Sequence, residues 1–164
     1  MASEDDVEKR MFESYLEVED YSNNPEIEKV WAGAVMEDMM IHYNLLTSVP
    51  PRTLRLSPFD DEIYEAFTEN FHAFKLDVLE EDSLKSWKSK EKWRKFIQMF
   101  QDKINNATFG TLIRIDSSGT YEDVNTIFVV RIQFLAIEIA RNRRGLNDKV
   151  YLRNKIGVQD KKLE

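Results

Sequence analysis

The chain has 164 residues, of which 42% are apolar, and it carries no cysteine and a net charge of −7. This composition predicts one globular domain with flanking tails, and it excludes disulfides, thiolate metal sites and cysteine nucleophiles. No apolar run reaches the ~18 residues of a membrane span, and the acidic N-terminus lacks the pattern of a secretory signal. We therefore expect a cytosolic or nuclear protein without a membrane partner.

Charge is distributed unevenly along the chain. Residues 1–38 contain twelve acidic and three basic side chains, whereas residues 139–156 contain six basic side chains and one acidic. Because duplex nucleic acid usually requires a broader basic face, this pattern favours a protein partner over direct binding of nucleic acid. Simple solubility is the alternative explanation of the same pattern.

The N-terminal part divides into an acidic extension and a helix. Residues 1–24 are acidic and end in Y-S-N-N-P, which predicts a flexible extension. A helix is predicted to begin at Pro25, with Asn24 as its cap, and to end before Pro50. His42 lies on the apolar side of this helix. Since no other histidine or cysteine stands at metal-ligand spacing, we expect it at the edge of the core rather than as a ligand.

The next segment alternates between polar and apolar residues, and a second helix is predicted to begin after it. Thr53–Leu56 has the alternation of a short strand. Ser57 is predicted to cap the helix that follows, with Pro58 in its first turn. The acidic run Asp60–Glu62 resembles a metal or acid–base cluster. Its position in a first turn is already explained by the positive end of the helix dipole, so we assign it no catalytic role.

The middle of the chain predicts two helices and a strand. A short helix begins near Leu84, and Ser89 is predicted to cap the next one. That helix carries an apolar stripe at helical spacing, formed by Trp93, Phe96, Ile97, Phe100 and Ile104. Gly110–Asp116 reads as a strand, and since a strand needs a partner, Thr53–Leu56 is the expected one.

The last predicted helix runs from Val124 to Arg144 and is apolar on nearly all sides, as a buried helix is. The predicted fold class is therefore mainly α: a single compact helical domain of about five helices, with a long buried C-terminal helix and a small two-stranded β element. We place this domain at residues 25–152, after the flexible extension at 1–24 and before a charged tail at 153–164.

One arginine falls inside this apolar segment. Arg131, Glu138 and Asn142 share one side of the predicted helix at 100° per residue. A buried arginine must be paired, and the candidate partners on other elements are Asp60, Asp61 and Asp116. Two interpretations stay open: a buried polar network that fixes helix packing, or a polar groove that binds a partner.

No motif for catalysis or for a cofactor stands out. The five glycines form no G-x-G-x-x-G or phosphate-binding loop, and nothing matches G-x-S-x-G. The two histidines are thirty residues apart and have no nucleophile to serve. We therefore expect no enzymatic activity, no metal site and no cofactor.

Four segments together resemble a known eukaryotic family, called polysaccharide biosynthesis domain-containing protein 1. They are S-P-F-D-D-E-I-Y-E-A-F (57–67), K-E-K-W-R-K-F (90–96), F-G-T-L-I-R-I-D (109–116) and N-T-I-F-V-V-R-I-Q-F-L-A-I-E-I-A-R-N-R-R-G-L-N (125–147). The resemblance extends over residues 31–147. Its order and spacing are highly specific, although any one segment alone would be weak.

This resemblance implies a compact, mainly helical protein of the cytosol and also the nucleus. It implies a dedicated chaperone that binds nascent translation elongation factor 1-alpha at the ribosome and helps its GTP-binding domain fold. We expect the chaperone to be a monomer. The family name instead suggests a polysaccharide-modifying enzyme, but the sequence has no glycine-rich cofactor loop. A third possibility is an adaptor for ribosomes or RNA, which would use the basic residues Arg141, Arg143, Arg144, Lys149 and Arg153.

Five polar residues are the candidates for partner binding, because local structure explains them least: Arg94, Arg114, Arg131, Arg141 and Asn142. Arg141 and Asn142 lie in E-I-A-R-N-R-R-G, where Gly145 is predicted to end the helix in a left-handed conformation. Whether Arg141 and Asn142 turn inward to fix the core or outward to a client is left open by the sequence.

Overall fold

The structure is a computed structural model that describes the backbone of residues 25–162 and the side chains of residues 32–156. It contains six α-helices and a two-stranded antiparallel sheet within this range, which confirms the predicted mainly helical class. Within the described residues, no helix combines the length and the apolar character needed to cross a membrane. The elements are α1 (Pro25–Ser48), α2 (Asp60–Asn70), α3 (Asp82–Lys85), α4 (Trp87–Phe100), β1 (Gly110–Arg114), β2 (Thr126–Val130), α5 (Arg131–Arg143) and α6 (Asp148–Lys162).

Helix α1 follows the sequence prediction. It begins at Pro25, which suits a first helical position because proline lacks an N–H, and it ends at Ser48 before Pro50. Val35, His42 and Leu46 turn inward and are at most 4% exposed. The predicted cap Asn24 and the predicted extension at residues 1–24 lie outside the described part of the chain.

The strand pairing differs from the prediction. β1 pairs with β2, so that Gly110 lies opposite Val130 and Arg114 opposite Thr126. The predicted partner Thr53–Leu56 was wrong, because Pro51–Thr53 forms a single turn of 3-10 helix. The fixed φ of proline suits such a turn. β2 instead is rich in β-branched residues, which pack well in a pleated sheet.

The predicted helix at Val124–Arg144 was therefore too long. Val130 is extended, with φ −92° and ψ 159°, and α5 begins directly after it at Arg131. The Gln133 side chain accepts the Val130 N–H at 3.0 Å, which caps the helix without a turn residue. Ten of the thirteen residues of α5 are buried, so a buried helix is present but is shorter than predicted. It is also not the last helix, because α6 follows it.

Two helix caps shift by a few residues. α2 begins at Asp60, whose carboxylate accepts the backbone N–H of Ser57 at 2.7 Å and the Ser57 hydroxyl at 2.9 Å. α4 is capped by Ser86 rather than by Ser89, because the Ser86 hydroxyl accepts the Ser89 N–H at 3.2 Å. The cap of α2 moves by two residues, to Phe59, and that of α4 by three.

The core lies where α2, α4 and the sheet pack around α5. Its aromatic part is contributed by α2, α4 and the loop between α2 and α3, and it comprises Phe67, Phe71, Phe74, Trp93, Phe96 and Phe100. The indole of Trp93 is fully buried, and its N–H donates to the Ser83 carbonyl at 3.0 Å. This bond ties α4 to α3 and satisfies a donor that would be costly to bury alone.

The end of the chain packs back on the fold. Gly145 has φ +77°, as predicted for a left-handed residue after a helix. α6 then runs from Asp148 to Lys162 and crosses the predicted domain boundary after Leu152 without a break. Arg153 donates to the Ser118 carbonyl, and Asn154 donates to the Thr47 carbonyl of α1 at 3.4 Å.

Candidate functional site

A buried carboxylate, Glu138 of α5, lies between two buried guanidinium groups. Arg141, one turn further along α5, donates to Glu138 Oε1 at 2.7 Å. Arg114 of β1 reaches Glu138 Oε2 at 3.3 Å. All three side chains are 0% exposed. Burying these charges is tolerated only because each group is paired and hydrogen-bonded.

The remaining donors of Arg141 bind backbone carbonyls, whereas the buried Nε of Arg114 has no hydrogen-bond partner within the described structure. Arg141 donates to the carbonyls of Leu76, Arg114 and Ile115 at 2.8, 2.9 and 3.0 Å. These bonds join α5 to the end of β1 and to the loop that follows α2. A guanidinium suits this role because its five N–H donors are held in a rigid plane.

Arg114 makes a second set of contacts on the other side of Glu138. It donates to the carbonyls of Ser117 and Gly119 at 2.7 and 3.1 Å, and to Asn147 Oδ1 at 2.7 Å. It thereby holds the loop after β1 against the segment that leads into α6. Arg114 thus connects β1 to the loop that follows it and to Asn147, just before α6.

Asn142 turns inward, which answers the question left open by the sequence. It is 2% exposed, and its Oδ1 accepts the Asn147 amide at 2.6 Å. The same Asn147 amide donates to Glu138 Oε2 at 3.0 Å. Arg141 and Asn142 therefore form part of a buried polar network, as the inward alternative proposed.

His42 and Tyr121 extend this network towards the surface. His42 Nδ1 lies 2.6 Å from the Tyr121 hydroxyl, and His42 Nε2 faces Glu138 Oε2 at 3.4 Å. An ionised carboxylate can only accept, so the histidine proton belongs on Nε2 and the Tyr121 hydroxyl donates to Nδ1. We call these seven residues the Glu138 cluster: His42, Arg114, Tyr121, Glu138, Arg141, Asn142 and Asn147.

The environment sets the protonation states of the cluster. Burial would raise the pKa of Glu138, but the charges of Arg114 and Arg141 outweigh it and hold that pKa well below its ordinary value. Burial lowers the pKa of His42 to about 4; the Glu138 charge opposes this shift, and the two arginines add to it. Burial and the Glu138 charge raise the pKa of Tyr121. At neutral pH the histidine is therefore neutral and the phenol protonated.

The order tyrosine, histidine, carboxylate resembles a nucleophile with a base and an orienting group. The protonation states do not suit that role. A general base works best with a pKa near the working pH, and an activated nucleophile has a lowered pKa, whereas the pKa of His42 is about 4 and that of Tyr121 is raised. The arrangement is better suited to fixing three chain segments than to proton transfer.

A cavity of about 240 Å³ lies beside the cluster, between α1, β1 and α5. Arg131 lines it and is half-exposed as the first residue of α5, so its predicted burial was wrong. Asp38 of α1 lines the same cavity. Burial raises the pKa of Asp38, and the Arg131 charge partly opposes this. The remaining lining is mainly apolar and includes Met39, Leu45, Leu56, Phe134 and Leu135.

The acidic residues expected to pair with Arg131 bind elsewhere. Asp60 accepts hydrogen bonds from Leu56 and Ser57 in the segment before α2. Asp61 pairs with Arg143 at 2.5 Å, and hydrogen bonds from that guanidinium lower the pKa of Asp61. Asp116 accepts the backbone N–H and the hydroxyl of Ser118 at 2.9 and 2.7 Å.

A second groove of about 480 Å³ shares Met39 and Tyr121 with the cavity. It is lined by Met36, Met39, Met40, Tyr43, Asn44, Thr120 and Tyr121. Met36, Met40 and Ile41 are 56%, 62% and 52% exposed, which is high for large apolar side chains on one helix. We call the four apolar α1 residues that line this groove, Met36, Met39, Met40 and Tyr43, the α1 surface. Its acidic neighbours along the chain are exposed: Glu37 on α1, and Glu122 and Asp123 after Tyr121.

The five predicted site residues do not form one surface. Arg114, Arg141 and Asn142 belong to the buried cluster, Arg131 lines the adjacent cavity, and Arg94 is exposed on α4. Their predicted role in binding a partner stays a prediction, but three of them are enclosed by the fold. Within residues 25–162, no group of three histidine, aspartate or glutamate side chains could hold a metal ion.

Sequence reasoning missed Tyr121 and Asn147 and gave His42 only a place at the core edge. Tyr121 lies in a loop with no periodic pattern, and Asn147 follows a helix end. The α1 surface was also missed, because a methionine in an amphipathic helix is normally assigned to the core.

Comparison with known proteins gives a consistent picture. A family described as PBDC1 protein matches residues 27–152. The chain is 47% identical over 149 residues to human Protein PBDC1, covering 91% of this chain and 62% of the human protein. It therefore spans less than two thirds of that relative. The Protein PBDC1 homolog of Saccharomyces cerevisiae is 47% identical over 139 residues, covering 82% of this chain and 95% of the yeast protein.

A solved structure is similar in three dimensions. It is a solution NMR structure of a Saccharomyces cerevisiae protein, with a TM-score of 0.71 and 47% sequence identity. The match covers 79% of this chain and 92% of the solved chain. By the family match and by these relatives, the chain belongs to the PBDC1 protein family.

Proposed function

We propose that the protein is a non-enzymatic, client-specific chaperone that binds newly synthesised translation elongation factor 1-alpha and assists the folding of its GTP-binding domain. The proposal combines the family resemblance with one structural observation, the α1 surface. The chaperone acts as a monomer in the cytosol, at the ribosome, and also in the nucleus.

The α1 surface suits a client that is not yet folded. Methionine is unbranched and polarisable, so a methionine-rich surface adapts to apolar side chains of different shapes. Met36 and Met40 are one helical turn apart and more than half exposed, beside a groove of about 480 Å³. Large apolar side chains that are exposed beside a groove are typical of an interaction site.

The Glu138 cluster supports this surface from inside. His42 lies on the same helix as the exposed methionines and binds Tyr121, which lines the groove. The paired charges therefore fix one wall of the groove while the methionine side chains stay free to adjust. A rigid frame with adaptable contacts lowers the entropy cost of binding without restricting the client to one shape.

Charge can guide the first encounter. The chain carries a net charge of −7, and Glu37, Glu122 and Asp123 lie near the groove and are exposed. Such a surface attracts basic segments of a nascent client and accelerates association at low salt. We expect capture of newly made elongation factor 1-alpha to weaken from low to moderate salt, and salt-independent capture would contradict this steering.

A direct experiment is capture of newly translated elongation factor 1-alpha by the purified chain. We expect the double variant Met36→Ser, Met40→Ser to lose most of the capture, because the apolar contacts are replaced by hydroxyls. The matched control is Met99→Ser on α4, which removes a methionine that is 50% exposed outside the groove. Capture that fails for the unaltered chain would contradict the proposed function itself.

A further inference from the structure

A tryptophan is nearly fully exposed on a different part of the fold. Trp87, the first residue of α4, is 80% exposed, whereas Trp93 six residues later is completely buried. An indole has a large apolar area, and leaving it in water forgoes a substantial gain from burial. The packing of α4 therefore does not explain this side chain.

Basic side chains accompany Trp87 along the exposed side of α4. Arg94 is seven residues after Trp87, and Lys95 is seven after Lys88. Residues seven apart lie on one side of a helix, about 10 Å apart along its axis. Trp87 with Arg94, and Lys88 with Lys95, therefore form two neighbouring rows, and all four side chains are exposed. We call these four residues the α4 surface.

The cations of the α4 surface form no ion pair with a described carboxylate. Among other exposed cations, Arg52, Lys75, Lys103 and Arg143 each form such a pair, whereas Arg55 and Lys149 do not. Lys88, Arg94 and Lys95 form none with any residue in the described ranges, although acidic residues outnumber basic ones by 30 to 23 in the chain. Unpaired cations beside an exposed indole form a surface whose charge is opposite to that of the protein as a whole.

Positive charge is crowded next to this surface. Burial lowers the pKa of Lys90, and the nearby charge of Lys85 lowers it further. Lys92 is held apart, because it donates to the Asn70 carbonyl at 3.1 Å and lies over the Phe71 ring. Positive charge is thus present on α4 beside the α4 surface as well as on it.

We propose that the α4 surface binds a second protein partner, an acidic segment with an apolar side that covers Trp87. Tryptophan and arginine are the side chains most often found to dominate protein–protein binding energy, and here Trp87 and Arg94 share one row. This site goes beyond the proposed chaperone function and does not depend on it.

A protein partner fits this surface better than nucleic acid. The α4 surface contains three cations, and the exposed carboxylate of Glu91 lies between its two rows on the same side of α4. A phosphate backbone would meet that carboxylate, whereas an acidic peptide can place a neutral or basic residue there. The α1 surface, with its acidic neighbours, has the opposite preference, so the two surfaces select different partners.

Three probes distinguish these possibilities with the full chain. The first is a helical peptide with leucines at i, i+3, i+4 and i+7 and glutamates elsewhere. The second keeps the leucines and replaces the glutamates with lysines. The third is a single-stranded oligouridylate. Fluorescence anisotropy of each labelled probe gives its affinity for the chain and for each variant.

We expect the acidic peptide to bind and to lose at least tenfold in affinity with Trp87→Ala or with Arg94→Glu, Lys95→Glu. Trp87→Phe should retain much of the binding, because it keeps an aromatic anchor. The matched charge control is Arg55→Glu, Lys149→Glu, which makes the same change in net charge at two exposed cations elsewhere. Thermal unfolding of each variant separates loss of binding from loss of fold.

Each contrary result overturns the proposal. Absence of acidic-peptide binding, or binding that Trp87→Ala leaves unchanged, removes the site. Tighter binding of oligouridylate through the same four residues would identify a nucleic-acid surface instead. An equal loss of affinity for the acidic peptide in the charge control would show that net charge, and not the α4 surface, determines binding. Because Met36→Ser, Met40→Ser should leave acidic-peptide binding intact, failure here is distinguishable from failure of the proposed client site.

Discussion

The two sides of α1 differ in burial and in the kind of side chain that they carry. On the inner side, His42 joins a cluster in which two arginines are paired with one glutamate, and all three side chains are 0% exposed. On the outer side, Met36 and Met40 are more than half exposed. The charged groups of the Glu138 cluster are thus bound to one another within the fold. The surface that α1 offers to a partner consists of apolar side chains.

This difference predicts separable effects of mutation. Changes in the Glu138 cluster should alter stability, since they remove partners from buried charges. Changes in the α1 surface should alter binding, since those side chains contact little within the fold. Variants of both regions test this separation, and their expected effects on stability range from several kcal/mol to nearly none.

The largest effect is expected for Glu138→Ala. It leaves Arg114 and Arg141 buried without their carboxylate, and breaking a buried pair of this kind costs about 3–5 kcal/mol. Urea unfolding measures the loss. Glu62→Ala is the control, because Glu62 and Lys103 are 55% and 50% exposed, and an exposed pair contributes at most about 1 kcal/mol. Similar losses for both variants would contradict the assignment of the cluster.

The next largest effect concerns pH. His42 has a pKa lowered from 6.5 to about 4, so the unfolded chain takes up this proton first as the pH falls. The stability contributed by neutral His42 is therefore complete above pH 6.5 and is lost progressively towards pH 4. At about 1.4 kcal/mol per pKa unit, the loss is about 3 kcal/mol.

Urea unfolding at several pH values measures this dependence. His42→Gln has no proton to gain, so its free energy of unfolding should change less between pH 6.5 and pH 4.5 than that of the unaltered chain. Below pH 4.5 the lowered pKa of Glu138 adds a loss of the same sign in both proteins. Parallel curves for the two proteins above pH 4.5 would exclude His42 as the titrating group.

A smaller loss is expected for Asn142→Ala. It removes the acceptor of the 2.6 Å bond from Asn147, whose amide still donates to Glu138. Loss of one partner from a buried hydrogen bond costs about 1–3 kcal/mol. Thermal or urea unfolding checks the value. An unchanged stability would mean that Asn142 does not help to fix the helix end.

The smallest change in stability is expected for Met36→Ser, Met40→Ser. Exposed substitutions away from special contacts usually alter stability by less than about 0.5 kcal/mol. The same variant should nevertheless lose client binding, which calorimetry or pull-down measures. A large loss of stability would show that these methionines pack against the fold and are not available to bind a partner.

Sequence reasoning succeeded where local chemistry decides the structure. The prolines at positions 25 and 50 bound α1, and Gly145 supplies the left-handed residue after α5. The polar residues inside an apolar segment also made a buried network one of two interpretations, but the pairing of Glu138 with Arg114 and Arg141 was not predicted. The pairing of β1 with β2 did not follow, because β2 runs into α5 at Val130 without a turn residue to mark the change.

Other parts of the site depend on tertiary contacts that no local pattern encodes. Tyr121 meets His42 across a separation of 79 residues, and Asn147 meets Arg114 across 33. Arg131 has the same local sequence context as a buried residue, and only the position of the strand–helix junction leaves it half-exposed. The exposure of Met36 and Trp87 likewise reflects which sides of α1 and α4 the rest of the fold covers.

The central claim is that the α1 surface binds the client while the Glu138 cluster maintains the fold. The most direct test measures the affinity of the GTP-binding domain of newly made elongation factor 1-alpha for two variants, at a temperature where both are folded. We predict that Met36→Ser, Met40→Ser loses at least tenfold in affinity and that Asn142→Ala stays close to the unaltered chain. Intact binding by the methionine variant, together with loss in Asn142→Ala, would contradict the account.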